Sequence, residues 1–425
     1  MYLCSEKQIN RMNRHLFTLA FVALATAATA QTTTYSNPVI NRSAPDPTVI
    51  RVNNIFYLYS TEDVRNVPIY YSRNLTRWFY VGTCFTENTR PQMVPGGGIW
   101  APDINKIGDK YVLYYSKSTW GGEWECGIGV ATSTSPRGPF KDVGPLFISS
   151  EINVQNSIDP FFIEDNGKKY LFWGSFRGIY AIELSEDGLS VKEGAKKRKV
   201  AGTLTEGTSI FKRGSFYYLI GSAGSCCEGA NSTYHLVVAR GRNVLGPYYD
   251  RHGQMATNNG FEMLLERNDH VIGPGHCSEV FQDDAGQDWI LYHGYDAQNP
   301  DAGRKVYLDR IQWDHNNWPY INDGTPSVEA EMPVIGTTDD VEDLPEEAVG
   351  FRVRPRNVRD NFTIESTSDT ALFHWQVVGM HGDVYKKGQA RQQTRVSMYD
   401  VPEGMYIVNV KSEKGETSQK IVRVP

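Results

Sequence analysis

Three acidic residues, Asp46, Asp159 and Glu206, each stand beside a small or turn-forming residue and directly before an apolar stretch. Two carboxyl groups in one pocket can cleave a glycosidic bond: one protonates the leaving oxygen, and the other activates water or attacks the anomeric carbon. A third carboxylate near the acid would raise the pKa of that acid by like-charge repulsion. The structural alternative is that each residue only caps a turn, as an Asp that begins a strand often does.

A repeated unit positions these residues. It is clearest at 157–176, where Asp159 precedes an apolar strand, the Asn166-Gly167 turn and a second, aromatic-rich strand. Asn-Gly between two apolar runs is a strong hairpin signal. Four altered copies occur elsewhere in the chain. The acidic residues of the five units are Asp46, Asp103, Asp159, Glu206 and Glu279, at intervals of 57, 56, 47 and 73 residues.

Repeats of this length that hold several short strands are typical of propeller blades. We therefore predict an all-β fold, a five-bladed β-propeller over residues 36–327. The first strand of each blade lines the central channel of a propeller, so carboxylates that are distant in the sequence can meet there.

The remaining segments predict export and a second domain. Residues 1–30 have a basic start at Met12–His15, an apolar core and an Ala28-Thr29-Ala30 cleavage site, which predicts a signal peptide. The apolar run is too short for a membrane span. Residues 328–349 are acidic and predict a linker, and residues 350–425 predict a small C-terminal β-sandwich. We expect a monomer located outside the cytoplasm.

Composition argues against a nucleic-acid partner and leaves the pairing of the cysteines open. The net charge of −6 and the lack of a basic cluster argue against nucleic acid. Five cysteines follow the cleavage site, so at least one thiol must be free. Adjacent Cys226 and Cys227 could form a vicinal disulfide, or they could be two thiols or pair elsewhere.

Several blocks resemble glycoside hydrolase family 43 over about residues 36–327. They occur in the order that the family shows: Ala44-Pro45-Asp46-Pro47, Trp100-Ala101-Pro102-Asp103, Ser157-Ile158-Asp159-Pro160 and Thr205-Glu206-Gly207. Further stretches are similar to its arabinan-cleaving members: 224–229, 232–234 and 272–276. The resemblance implies a five-bladed propeller that hydrolyses α-L-arabinofuranosyl linkages of plant arabinan or arabinoxylan with inversion.

The resemblance also implies roles for single residues. Asp46 would be the general base, Asp159 the residue that raises the pKa of the acid and orients it, and Glu206 the general acid. Many endo-acting arabinanases have a His before the base, whereas this chain has Pro45. Endo-arabinanase and exo-arabinofuranosidase activity therefore both stay open. A β-xylosidase or an inactive, glycan-binding propeller is the alternative.

Other residues are predicted to contact substrate or metal. Trp100, Asp103, Phe176, Cys226 and Cys227 are candidate substrate contacts, because aromatic rings and blocks near the channel suit sugar faces. Trp120 and Trp124 are weaker candidates. In arabinanase-like relatives a His that matches His276 faces a metal, usually calcium, in the channel. Calcium prefers oxygen ligands, so a lone His would hold it mainly through water. The alternative is a His bonded to a backbone carbonyl.

The C-terminal module resembles the sorting domain of the type-nine secretion system of Bacteroidetes. The matching stretches are 360–364, 401–408 and 419–422. This resemblance implies the secretion machinery as a partner. The alternative is a generic β-sandwich that binds carbohydrate or packs on the propeller.

Overall fold

The computed structural model describes residues 33–336, 351–355, 357–366, 372–379, 384–412 and 415–424. The predicted signal peptide, residues 1–30, lies outside the described residues, as does most of the predicted linker. No helix within the described ranges is long and apolar enough to cross a membrane.

Five antiparallel sheets follow one another along the chain from residue 48 to residue 321, and each is a meander of four strands, with a fifth short strand in the last two. This arrangement confirms the five-bladed propeller that the repeats predict. In chain order the strands of this region are β1 (Thr34–Ser36), β2 (Thr48–Val52), β3 (Ile55–Tyr59), β4 (Pro68–Ser72), β5 (Phe79–Thr83), β6 (Gly98–Ile107), β7 (Lys110–Ser118), β8 (Gly127–Ser133), β9 (Lys141–Ile148), β10 (Phe161–Asp165), β11 (Lys168–Trp173), β12 (Ile179–Glu183), β13 (Arg198–Ala201), β14 (Glu206–Arg213), β15 (Phe216–Ala223), β16 (His235–Gly241), β17 (Tyr248–Tyr249), β18 (Glu262–Leu265), β19 (Val271–Gly275), β20 (Phe281–Gln282), β21 (Asp288–Asp296), β22 (Arg304–Trp313), β23 (Pro319–Ile321) and β24 (Glu329–Glu331).

Blades one to five are β2–β5, β6–β9, β10–β13, β14–β18 and β19–β23. Helical structure in this region is limited to α1 (Ser149–Ile152) and three short 3₁₀ turns, Gly229–Asn231, Ala256–Asn258 and Pro300–Ala302.

A separate apolar core fills each space between neighbouring blades. Tyr59 and Leu113 belong to the core between blades one and two, and corresponding cores join blades two to three, three to four and four to five. The fifth core joins the last blade to the first and contains Leu58 and Leu291. The presence of this fifth core closes the blades into a ring.

A two-stranded sheet adds to this closure. β1, which precedes the first blade, pairs antiparallel with β24, which follows the last blade. The Asn37 side chain donates hydrogen bonds to the carbonyls of Leu308 and Ser327. Residues 329–331, which fall inside the predicted linker, therefore form a paired strand.

Each blade enters the channel through a residue in the left-handed region of backbone conformation. Their φ angles are +55°, +40°, +59°, +57° and +46°, and the residues are Asp46, Ala101, Asp159, Gly207 and His276. Side chains other than Gly adopt this region at a cost of roughly 1 kcal/mol or more, and such strain is concentrated at functional sites. These residues, rather than the five acidic residues of the sequence repeat, are structurally equivalent.

The C-terminal region forms a three-stranded sheet and a five-stranded sheet around one core. Val353 and Ile364 of the first sheet and Phe373 and Val408 of the second are fully buried in this core. The predicted small β-sandwich is therefore present. Its strands are β25 (Phe351–Arg354), β26 (Asn357–Val358), β27 (Asn361–Ser366), β28 (Leu372–Gly379), β29 (Val384–Arg391), β30 (Gln393–Ser397), β31 (Gly404–Ser412) and β32 (Gly415–Arg423).

Candidate active site

Asp46 lies between the first and last blades and is bound from several sides. Its Oδ2 accepts a hydrogen bond of 2.6 Å from the Thr61 hydroxyl. Its Oδ1 lies 3.2 Å from Nδ1 of His276 and 3.3 Å from NH1 of Arg304. Its backbone N–H donates to Nδ1 of His293 at 3.1 Å. These partners hold the carboxylate in one orientation, with only 8% of the residue exposed.

The charges around Asp46 keep it ionised. Burial alone would raise the pKa of Asp46, but Arg304 and His276 hold it well below its usual range. Burial would likewise lower the pKa of His276, yet Asp46, Asp159 and Glu206 together raise it to about 9. His276 is therefore protonated at neutral pH and forms an ion pair with Asp46.

Glu206 begins β14 and is buried beside two hydroxyl groups. The Ser175 hydroxyl donates to Oε2 at 2.5 Å, and the Tyr234 hydroxyl donates to Oε1 at 2.8 Å. Burial raises the pKa of Glu206 above its ordinary value, although the two hydrogen bonds oppose this shift. A carboxyl group with a raised pKa is suited to donate a proton near neutral pH.

Asp159 contacts the backbone next to Glu206. Its Oδ2 accepts a hydrogen bond of 3.2 Å from the backbone N–H of Gly207, the residue after Glu206. Its own N–H donates to the Ser116 hydroxyl at 2.8 Å. Burial raises the pKa of Asp159 to about 8, with the charge of Glu206 adding to the shift and His276 opposing it. Asp159 is thus itself prone to bind a proton, and the charge of Glu206 contributes to this.

Two cations, Arg304 and His276, lie beside Asp46 and offset negative charge there. Burial raises the pKa of both Asp159 and Glu206, so this pair of carboxyl groups binds protons more readily than free carboxyl groups do. The sequence-predicted trio is therefore brought together as one electrostatic unit.

His276, the residue predicted to face a metal, takes part in the contacts around Asp46. Nδ1 of His276 contacts Asp46, and its ring packs against Gly207, where a Cβ would lie 2.9 Å from the ring. Within the described part of the chain, no three His, Cys, Asp or Glu side chains are grouped to hold a metal ion. The residues do not fit a calcium ion that takes its ligands from the protein, because calcium needs six to eight oxygen ligands. A calcium ion held mainly by water stays a prediction.

Asp103, predicted to contact substrate, lies in a different network. It shares a hydrogen bond with Glu279 and accepts the Phe162 N–H at 2.7 Å. Glu279 accepts hydrogen bonds from the Thr48 hydroxyl and the Val49 N–H. These bonds connect four of the five blades, and Asp103 is only 2% exposed. This position favours a structural role for Asp103 over the predicted one.

The aromatic candidates border the site. Trp100 precedes Ala101, whose N–H donates to the same Thr61 hydroxyl that binds Asp46. Phe176 follows Ser175, and its N–H donates to the Thr205 carbonyl. Trp100 and Phe176 are half-buried. Trp120, 83% exposed, packs edge-on against Trp100 with centroids 6.4 Å apart, and Trp124 is 43% exposed.

Cys226 and Cys227 form a disulfide, which answers the question that the sequence left open. The pair lies on the loop between β15 and β16, with Cys226 half-buried and Cys227 exposed. The described cysteines outside this pair, Cys84, Cys126 and Cys277, are buried and free. Contact of the disulfide with substrate stays a prediction.

Arg304, His293 and Tyr234 were not identified as site residues from the sequence. Tyr234 ends the stretch 232–234, and His293 lies inside β21 without a motif of its own, so neither begins a repeat. Arg304 follows a turn at the start of β22 and carries no recognisable motif. Their relation to Asp46 and Glu206 depends on pairing between strands, which only the folded structure reveals.

A five-bladed propeller with buried carboxyl groups gathered around its channel is the architecture of a propeller glycosidase. The family "Glycosyl hydrolases family 43" matches residues 35–319, and the chain belongs to this family. The protein is therefore a glycoside hydrolase.

Exo-acting and endo-acting enzymes are both similar to this chain. The extracellular exo-alpha-(1->5)-L-arabinofuranosidase ArbA of Cellvibrio japonicus is 31% identical over 303 residues, which span 65% of this chain and 86% of that protein. The extracellular endo-alpha-(1->5)-L-arabinanase 1 of Bacillus subtilis is 32% identical over 292 residues, 66% of this chain and 88% of that protein. The solved alpha-L-arabinanase of Cellvibrio cellulosa in complex with arabinohexaose has a TM-score of 0.61 and 30% identity, covering 66% of this chain and 96% of that one.

The second domain also matches a family. Residues 353–424 match the secretion system C-terminal sorting domain. A sorting domain directs its protein out of the cell, so the enzyme is extracytoplasmic.

Proposed function

We propose that the enzyme hydrolyses α-L-arabinofuranosyl linkages of plant arabinan or arabinoxylan with inversion of the anomeric centre. The observation that supports this proposal is the pairing of an ionised Asp46 with a Glu206 whose pKa is raised, within one buried group. An inverting glycosidase needs this division between a base and an acid. Relatives named for arabinan support the choice of sugar.

In the proposed reaction, Asp46 removes a proton from the attacking water. Arg304 and His276 prevent Asp46 from binding a proton of its own, so it is available as a base across neutral pH. Glu206 donates a proton to the leaving oxygen, and the C–O bond breaks as the water oxygen bonds to the anomeric carbon from the opposite face. The proton from water stays on Asp46 until it passes to solvent.

Asp159 supports the acid in this proposal. Its contact with the Gly207 N–H fixes the backbone that carries Glu206. Its charge makes loss of the remaining proton from Glu206 unfavourable. Trp100 and Phe176 are proposed to contact the sugar chain, since their chain neighbours Ala101 and Ser175 bind Thr61 and Glu206. The Cys226–Cys227 disulfide is proposed as a further contact, on the sequence resemblance.

Release of reducing sugar from linear arabinan, debranched arabinan and xylan tests the function. Wild type should release arabinose or arabino-oligosaccharides, while Asp46→Asn and Glu206→Gln should release at least 100-fold less. Products from linear arabinan distinguish exo action, which gives one small product, from endo action, which gives a mixture of lengths. Binding to arabinan without any release would favour the inactive propeller, and release from xylan alone would favour the β-xylosidase.

We further propose a calcium ion near His276, held largely by water, which would supply positive charge near the carboxyl groups. Treatment with a chelator followed by dialysis should then lower both the unfolding temperature and the activity, and added calcium should restore both. His276→Gln should remove this dependence. Unchanged unfolding temperature and activity after chelation of the wild-type enzyme would overturn the proposal.

A further inference from the structure

A pair of stacked rings connects the two halves of the site. The rings of Tyr234 and His293 lie nearly parallel, with an angle of 10° between their planes and centroids 5.5 Å apart. Tyr234 contacts Glu206, whereas His293 contacts Asp46. The two residues come from different blades, β21 of the fifth blade carrying His293 and the segment before β16 of the fourth carrying Tyr234.

His293 contacts both the backbone and the carboxylate of Asp46. Nδ1 of His293 lies 3.1 Å from the backbone N of Asp46 and 3.1 Å from its Oδ1, and φ of Asp46 is +55°. That conformation is unfavourable for a residue with a side chain, so contacts must maintain it. His293 is fully buried, and its Nε2 has no protein partner. The position of the ring is therefore set by packing and by the Asp46 contact.

Tyr234 holds Glu206 through its side chain and is itself confined. Its hydroxyl donates to Oε1 of Glu206 at 2.8 Å, and the residue is 1% exposed. A Cβ placed on Gly275 would lie 2.1 Å from Cδ1 of Tyr234, so the backbone of β19 lies directly against this ring. Gly275 also pairs with His293 in the sheet of the fifth blade. The Tyr234 ring therefore contacts both the His293 ring and the strand that pairs with His293.

We propose that His293 and Tyr234 are positioning residues that together fix the separation between the base and the acid. This inference rests on the proposed function, because it takes Asp46 and Glu206 as the base and acid. Displacement of either ring should shift both carboxyl groups relative to the attacking water. Small displacements of reacting groups cost up to about 100-fold in rate.

Two substitutions of Tyr234 separate its ring from its hydroxyl. Tyr234→Phe keeps the stack and loses the bond to Glu206, whereas Tyr234→Leu loses both. An aryl arabinofuranoside with a leaving group that departs without protonation reports on the base, and an arabino-oligosaccharide reports on both groups. We expect Tyr234→Leu to slow aryl-glycoside hydrolysis about tenfold more than Tyr234→Phe does.

A double-mutant comparison tests the connection directly. In a His293→Asn background, the additional effect of Tyr234→Leu on aryl-glycoside hydrolysis should be largely lost, because the two residues act through one contact. Equal aryl-glycoside rates for Tyr234→Phe and Tyr234→Leu, or fully additive effects, would overturn the inference and leave the proposed function intact. A wild-type enzyme that cleaves neither substrate would overturn the proposed function itself.

Thermal unfolding shows whether each variant is folded. Should Tyr234→Leu not fold, Gly275→Ala provides the test, because the added methyl group would lie 2.1 Å from the Tyr234 ring and must displace it without removing any contact atom. The expected result is again slower aryl-glycoside hydrolysis. An unchanged rate in folded Gly275→Ala would overturn the inference.

Discussion

Nδ1 of His276 lies 3.2 Å from Oδ1 of Asp46, so the residue predicted to face a metal pairs with the predicted base. Because a protonated imidazole favours the ionised carboxylate, this contact extends the pH range in which Asp46 is a base. The same contact ties the fifth blade to the first at the channel.

His276→Gln should raise the pKa of Asp46, since one of the two cations that lower it is lost. The rate falls at low pH as the base binds a proton, so the acidic limb of the pH profile of kcat/KM should move to higher pH. His252→Gln, at an exposed histidine, is the matched control. An acidic limb that stays in place would show that Arg304 alone sets this pKa.

Replacement of the acid and of the base should affect two substrates differently. Glu206→Ala should slow arabino-oligosaccharide hydrolysis by roughly 10²–10⁴-fold while largely sparing an aryl glycoside whose leaving group needs no proton. Asp46→Ala should abolish hydrolysis of both, because water activation is still required. Steady-state kinetics with both substrates measures this difference, and the opposite pattern would exchange the two roles.

Asp159→Asn should move the alkaline limb of the pH profile to lower pH. The limb reports loss of the proton from the acid. In wild type, ionisation of both Asp159 and Glu206 places two negative charges near each other, and the substitution removes that repulsion, so the pKa of Glu206 should fall. The pH dependence of kcat for wild type and variant provides the measurement. A shift towards higher pH would mean that Asp159 acts on Glu206 as a hydrogen-bond partner and not through its charge.

The first product should have the inverted anomeric configuration. Inversion requires room for a water molecule, and the carboxyl groups of Asp46 and Glu206 should then lie roughly 6.5–9.5 Å apart. Proton NMR spectra recorded during the first minutes of hydrolysis identify the anomer before it equilibrates. Retention would require a carboxylate that attacks carbon directly, and Asp46 could no longer be assigned as a base.

The Asp103–Glu279 pair should make stability fall as pH rises. Burial, with the charge of Glu279, raises the pKa of Asp103 well above its ordinary value of 3.8, and burial also raises that of Glu279. A carboxyl group whose pKa is higher in the folded state binds more protons there, so its stabilising effect is full below the unfolded-state pKa of about 4 and is lost progressively as pH rises through the raised folded-state pKa.

Asp103→Asn keeps a hydrogen-bond donor towards Glu279 but cannot lose a proton. The free energy of unfolding in urea should therefore depend less steeply on pH in this variant, by up to about 1.4 kcal/mol per pH unit. Asp301→Asn, at an exposed aspartate, is the control. Equal slopes for wild type and Asp103→Asn would contradict the shared proton.

The repeats predicted the number of blades because each copy contains two apolar stretches and the turn between them, which together form two neighbouring strands. The positions of Asp103 and Glu279 could not be predicted in this way. Asp103 comes two positions after the left-handed residue Ala101, and Glu279 comes three positions after His276. The side chains of Asp103 and Glu279 therefore bind to each other's network, with the Phe162 and Val49 N–H groups, and not to the Asp46 site. Arg304 was missed for a related reason: it belongs to the third long strand of its blade, and its proximity to Asp46 arises only when the ring closes.

The pairing of β1 with β24 has a consequence for how this enzyme comes to be assembled. Residues 34–36 can find their partners only after residues 329–331 are available, and closure across so many residues is entropically slow. Asp46 meets His276, His293 and Arg304 across that same seam. A chain that is still incomplete would thus carry the base without its cations. Docking of the fifth blade against the first would then be the step that gives Asp46 its cations.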